Sequence, residues 1–312
     1  MTTAVAIPTP SLDAHQYRPI VQLVTDAVSS DHTRRAYDRA LSDFLSWVDD
    51  ARPAGFTKAV VQAYVTQLRA AGVPTSSINQ RLTAIRKLAI EAADNGLIPE
   101  QTAQAIRRVE GVRVEGRRLG NWLTLAQAQA LLRLPDTTTR QGLRDRAILA
   151  VLVGCGLRRE ELAGLTLGQV QQREGRWVIV DLVGKRNKTR SVPMPSWAKA
   201  AVDAWTGAAG VEGHNRQGFV FRQVRKGDHV QDAPITAQAV WLVVKRYADR
   251  LGVAIAPHDL RRTYAKLARK GGSPLDQIQL SLGHASVETT QRYIGDNQDL
   301  TSAPCDVLGL RL

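Results

Sequence analysis

The sequence predicts a mainly α-helical protein with a small antiparallel sheet, divided into two domains. Three observations carry that reading. Apolar residues recur at helical spacing through most of the chain. One pair of β-rich runs, WVIVDLV and RSVPM, flanks the turn-forming GKRNKT. The chain has 312 residues, enough for two cores. Its charge is unevenly divided: residues 1–110 hold 12 Lys+Arg against 11 Asp+Glu, and residues 111–312 hold 30 against 18.

Residues 1–15 are rich in Pro and Thr and are expected to be a flexible lead. In HTRRAYDRALSDFLSWV, the residues Tyr37, Leu41, Phe44, Leu45 and Val48 fall on one helical face. Thr57 is placed to cap a second helix, with Val61, Tyr64, Val65 and Leu68 on one side. PTSSINQRLTAIRKLAIEA predicts a third, with Ile78, Leu82, Ile85 and Ala89 inward and Gln80, Arg81, Arg86 and Lys87 outward. Residues 16–106 thus read as a helical domain, with about 25 residues of the chain before its first helix. The stretch RRVEGVRVEGRRLGN, 107–121, has no helical period and reads as a basic linker.

Residues 122–296 read as the second domain. TLAQAQALLRL and LRDRAILAVLV are helical, and RREELAGL is a short helix after a glycine turn. The hairpin follows, then helices over 196–206, 236–251, 258–270, 274–282 and from about 286, where Ser286 is the expected N-cap. The tail, 297–312, ends in an apolar group: Val307, Leu308, Leu310 and Leu312.

The net charge of +13 lies almost wholly in the second domain and points to a polyanionic partner, with nucleic acid ahead of membrane. Cys155 and Cys305 are too few for a disulfide framework or a cysteine-rich metal site. The first residues have no signal-peptide pattern, and no apolar run approaches the ~20 residues that span a bilayer. A cytoplasmic protein that meets DNA is the expectation.

Four stretches carry chemistry: CGLRREEL (155–162), VGKRNKTR (183–190), HDLRRT (258–263) and LGHASVETTQRY (282–293). Each alone has an ordinary explanation as a surface ion pair, an exposed turn lysine, a solvated helix face or a capping histidine. Together, in this order, they resemble the tyrosine recombinase (phage integrase) superfamily over roughly residues 30–296. The resemblance implies a core-binding (SAM-like) helical domain, an α+β catalytic domain, and an active-site set of Arg158, Lys185, His258, Arg261, His284 and Tyr293. Glu161 matches the acidic position that supports the first arginine. Lys185, directly after Gly184, is favoured over Lys188.

The residue types suit the reaction. Attack on a phosphodiester builds negative charge, which arginines hold by forked hydrogen bonds and preorganised donors stabilise. By the resemblance, Arg158, Arg261 and His284 bind the phosphate, and Tyr293 forms a 3′-phosphotyrosyl link. Lys185 protonates the leaving 5′-oxygen, and His258 exchanges the tyrosine proton or orients Arg261. The covalent link conserves the bond energy, so no cofactor and no metal are expected; the sequence has no P-loop.

Further DNA contacts are expected from Gln80, Arg81, Arg86, Lys87, Lys188 and Arg190. The implied partners are double-stranded DNA with an inverted-repeat core site and a homo-tetramer exchanging strands through a Holliday junction, with no membrane. The short amino-terminal lead resembles simple two-domain recombinases, and the tail is expected either to dock on a neighbouring protomer or to fold back on its own catalytic domain. The alternatives are a type IB topoisomerase and a non-catalytic DNA-binding regulator on the same fold.

Overall fold

The computed structural model describes residues 13–113, 121–184, 189–211 and 217–295. Lys185, Lys188, residues 1–12 of the expected lead, residues 114–120 of the expected linker, and the tail lie outside the described residues. The chain divides into two compact units between Arg117 and Arg118.

The first unit is helical: α1 (Ala14–Asp26), α2 (Asp31–Ala51), α3 (Lys58–Ala70), α4 (Thr75–Asp94) and α5 (Glu100–Arg107). Helix α1 starts inside the stretch expected to be a lead, and Asp13 caps it by accepting the His15 N–H at 2.9 Å. Its Tyr17, Ile20 and Val24 are buried at helical spacing, but Pro19 inside the helix obscures the pattern. Thr57 caps α3 as expected, accepting the Val60 N–H. The core gathers Leu41, Phe44, Phe56, Ile78, Leu82, Ile85 and Leu88, and Tyr17 meets Phe56 edge-on at 5.5 Å. Residues 107–113, expected as the start of a linker, pack onto this unit. Val109 is buried, and the Asn79 amide exchanges hydrogen bonds of 2.9 and 2.8 Å with the Val112 backbone.

The second unit contains α6 (Leu125–Arg133), α7 (Arg140–Cys155), α8 (Arg159–Ala163), β1 (Val170–Arg173), β2 (Arg176–Val183), β3 (Thr189–Met194), α9 (Ser196–Ala209), β4 (Arg222–Arg225), β5 (His229–Pro234), α10 (Ala237–Leu251), α11 (Pro257–Lys270), α12 (Leu275–Leu282) and α13 (Val287–Ile294). Helix α7 runs through the core; its Ile148, Leu149, Val151 and Leu152 are all inaccessible to solvent. Strands β1, β2 and β3 form one antiparallel sheet and β4 with β5 a second. Asp228, in the turn between β4 and β5, caps α7 by accepting the N–H groups of Arg140 and Gln141 at 2.6 and 2.7 Å.

A bulge in β2 matters for the site. Ile179 pairs with Val192, but Leu182 pairs with Arg190, so β2 carries one extra residue, with Asp181 at φ 53°. The insertion returns Leu182 to the buried face. On β3 the residues Arg190, Val192 and Met194 share that face by two-residue periodicity. Arg190 therefore points into the protein. No described helix is long and apolar enough to cross a membrane.

Candidate active site

The site begins where α7 ends. Gly156 adopts φ +61°, and a Cβ there would lie 2.6 Å from the Tyr264 ring, so the turn requires glycine. The turn sets Arg158 at the N-cap of α8. The Arg158 backbone N–H donates to one Glu161 oxygen at 2.8 Å, and its guanidinium donates to the other at 2.7 Å. From β3, Arg190 grips both Glu161 oxygens at 2.8 and 2.7 Å and donates its Nε–H to the Ser281 carbonyl at 2.9 Å. Burial alone would raise the Glu161 pKa, but the hydrogen bonds and charges of Arg190 and Arg158 overcome it and bring the carboxyl down to about 2. Glu161 is thus a permanent anion bridging two arginines. Arg190, expected as a DNA contact, is spent on protein groups.

Helix α11 supplies the next pair. Pro257 stands at its start, and His258 and Arg261 follow three apart on one face. Arg261 is only 1% exposed; it donates to the Gly156 carbonyl at 2.5 Å and also to the Leu282 carbonyl. It thereby ties the end of α7 to the end of α12. Burial, then the charge of Arg158, pulls the Arg261 pKa down to about 10, which leaves a cation at neutral pH.

Helix α12 closes on Gly283 at φ +62°, where a Cβ would sit 2.9 Å from Arg190 Cδ. His284 follows. Its backbone N–H donates to the Gln279 carbonyl at 3.2 Å, and the Gln279 amide donates back to the His284 carbonyl at 3.2 Å. The ring Nδ1 lies 3.0 Å from Thr290 Oγ1. Burial, with the charges of Arg261, Arg158 and His258, pushes this imidazole down to about 4.

Helix α13 is capped by Ser286, which accepts the Thr289 N–H at 3.2 Å, as expected. It is seated by Ile294, buried in a small cluster with Ala265, Ile278 and Leu282, and Thr290 is buried as well. Tyr293 lies between two histidine rings, 5.4 Å from His258 and 5.1 Å from His284, edge-on to each. The Arg262 guanidinium lies 4.9 Å from the ring centroid. The phenol O–H donates to the His258 carbonyl at 3.2 Å. Burial raises the Tyr293 pKa, and Arg261 and Arg262 oppose the rise. Partial burial, with Arg261 and Arg262, lowers the His258 pKa. The eight residues between histidine and tyrosine form one turn and one short helix that bring the two rings together.

Of the expected residues, the structure gathers Arg158, Glu161, His258, Arg261, His284 and Tyr293. Sequence reasoning missed Arg262 against the Tyr293 ring and Thr290 against His284. The first adjoins Arg261 in HDLRRT; the second lies three residues before Tyr293, on the same side of α13.

The first unit presents a polar hollow between α2 and α4, lined by Arg35, Ala36, Arg39, Ala40, Ser77, Gln80 and Arg81. Arg35 and Arg39 were not anticipated. Arg81 is paired with Asp43 at 2.7 Å, with its guanidinium also donating to Tyr64 Oη at 3.2 Å. Arg86 turns to the Val109 carbonyl, and Lys87 is exposed.

Comparison with known proteins agrees with this architecture. The phage integrase family model matches residues 121–299, and the phage integrase N-terminal SAM-like domain model matches residues 21–96. Tyrosine recombinase XerC of Xylella fastidiosa (strain 9a5c) is 32% identical over 269 residues, 85% of this chain and 86% of the relative. Tyrosine recombinase XerD of Pseudomonas aeruginosa is 30% identical over 286 residues, 88% and 92% of the two chains. The fold is shared with the XerH site-specific recombinase in a post-cleavage complex with palindromic difH substrate, at TM-score 0.69 and 16% identity over 92% of this chain and 82% of that one. A lambda integrase dimer bound to a COC′ core site gives TM-score 0.67 at 16% identity, covering 93% and 80%. The chain belongs to the phage integrase family and is a tyrosine recombinase, an enzyme of site-specific DNA recombination.

Proposed function

We propose that Tyr293 is the nucleophile of this recombinase and that Arg158, Arg261 and His284 hold the scissile phosphate. The convergence of two arginines, two histidines and one tyrosine around the ends of α7, α11, α12 and α13 carries this reading. Tyr293 attacks phosphorus, the 5′-oxygen leaves, and a 3′-phosphotyrosyl bond stores the energy for rejoining. Lys185 gives the leaving oxygen its proton. His258, exposed at the start of α11, passes the phenolic proton to solvent. Glu161 and Arg190 act as a brace that holds Arg158 in place. The substrate is a core site with inverted arms, bound by four protomers that exchange strands through a Holliday junction.

A supercoiled plasmid carrying two copies of the site is expected to yield recombinant circles and a four-way junction intermediate. Relaxation of a plasmid lacking the site, by isolated protomers and without recombinants, would replace this reading with a topoisomerase-like one.

On the first unit, Arg35, Arg39, Gln80 and Arg81 are the proposed phosphate-tracking group, with Lys87 beside them on α4. Binding should be steeply salt-dependent: with about 6–10 phosphates neutralised, affinity falls roughly 10³–10⁵-fold between 50 and 200 mM salt. Arg35→Gln and Arg39→Gln should each flatten the log–log slope by about 1. Titrations of both variants against wild type check this, and unchanged slopes would move the contact elsewhere.

A further inference from the structure

We propose that Thr290 is a positioning residue that selects the His284 tautomer with its outer nitrogen, Nε2, protonated, so that the histidine becomes a phosphate donor only when α13 is seated. The inference rests on the reading of His284 as a phosphate ligand.

The argument starts from proton counting. A neutral imidazole has one N–H, and which nitrogen bears it is set by the partner of the other. His284 is neutral at pH 7, because burial and the charges of Arg261, Arg158, His258 and Arg190 all disfavour its cation. Its inner nitrogen, Nδ1, is 3.0 Å from Thr290 Oγ1. If Nδ1 carried the proton, Nε2 would present a lone pair to an anionic phosphate. Nε2 can donate only if Nδ1 accepts.

Thr290 decides between these arrangements. Its side chain is fully buried, so no bulk water competes for the hydroxyl. The hydroxyl has one hydrogen and two acceptors within reach: Nδ1 at 3.0 Å and the Ser286 carbonyl at 3.5 Å. The nearer contact lies at an ordinary hydrogen-bond length and the farther at the limit. Donation to the Ser286 carbonyl is weak at that length, which leaves the hydroxyl hydrogen available to Nδ1 and the imidazole hydrogen to Nε2. If a bound phosphate makes His284 a cation, the hydroxyl can rotate to the Ser286 carbonyl and accept from Nδ1. One hydroxyl thus serves both protonation states without moving the ring.

The placement couples this to the nucleophile. Thr290 and Tyr293 are three residues apart on α13, on the same side of the helix. His284 lies outside that helix, held from behind by Gln279. Lifting α13 would remove the Thr290 hydroxyl from Nδ1 and Tyr293 from the histidine ring together. Arrival of the tyrosine and readiness of the phosphate donor are one event.

The test uses full-length protein labelled with ¹⁵N-histidine, its six histidines resolved and His284 assigned with the His284→Gln variant. Long-range ¹H–¹⁵N spectra without DNA should show wild-type His284 as the Nε2–H form. Thr290→Val, of nearly equal volume, should give a mixture or the Nδ1–H form, and Thr290→Ser should restore the wild-type signal. Covalent-adduct formation should fall about tenfold to a hundredfold for Thr290→Val, as when an orienting partner of a functional histidine is lost, and recover with Thr290→Ser while DNA affinity stays unchanged. A wild-type His284 protonated on Nδ1 would overturn the proposal. So would a Thr290→Val protein that cleaves like wild type, or a Thr290→Ser protein as impaired as the valine variant. Wild-type cleavage by His284→Gln would instead defeat the phosphate-ligand reading. The DNA-free spectra test the Thr290 contact separately.

Discussion

Tyr293→Phe is expected to abolish the covalent protein–DNA adduct while leaving DNA binding intact. The substitution removes one oxygen. The ring keeps its edge-on contacts with His258 and His284 and its place beside Arg262. The lost hydrogen bond to the His258 carbonyl is worth about 0.5–1.5 kcal/mol, so the protein should fold as before. The effect on chemistry is total because no other described group offers a nucleophile at this point. In the proposed mechanism the neighbouring histidines are the phosphate's donor and the proton carrier, and the Thr290 hydroxyl is buried against His284. The measurement is a denaturing gel of labelled, nicked suicide substrate, with a binding titration alongside. A denaturation-resistant adduct from the phenylalanine variant would remove Tyr293 from its role. Loss of binding together with loss of adduct would mean that the phenol holds DNA rather than attacks it.

Much of this architecture was legible in the sequence because local signals and global placement agree. Gly156 and Gly283 announce left-handed helix ends, and both turns deliver a charged or titratable residue to the site. The spacing of His258 and Arg261 gives one helical face, and the cap at Ser286 starts the helix of Tyr293 where expected. What escaped was set by tertiary context. Arg190 was read as a hairpin arginine facing DNA, yet it shares strand parity with Val192 and Met194, which was a readable sign of an inward side chain. The bulge at Asp181, which sets Leu182 opposite it, has no plain sequence signature. Helix α1 was missed because Pro19 interrupts an otherwise regular apolar pattern. The β4–β5 hairpin was hidden in a polar run around Lys226, Gly227 and Asp228. The burial of Arg261 could not be anticipated either, since its partners are the carbonyls of Gly156 and Leu282, on two other segments.

The second large effect separates the two kinds of charge in the proposed mechanism. Lys185→Ala and Arg158→Ala are both expected to reduce cleavage severely. Loss of a general acid costs about 10²–10⁴-fold, and loss of a preorganised charge-stabilising donor costs about 10²–10³-fold. On an ordinary phosphodiester the two variants look alike. A bridging 5′-phosphorothiolate distinguishes them, because sulfur leaves without a proton. Lys185→Ala should recover most of its cleavage on that substrate. Arg158→Ala should not, since the phosphoryl oxygens still gain charge and Glu161 loses one of the two guanidiniums it bridges. Lys188 provides the internal control: it lies three residues from Lys185, and its alanine variant should cleave the ordinary substrate well. Rescue of Lys188→Ala in place of Lys185→Ala would move the acid along the hairpin. Rescue of the arginine variant as well would mean that the limiting step on the ordinary substrate is the departure of the leaving group in both. The distinction between clamp and acid would then fail.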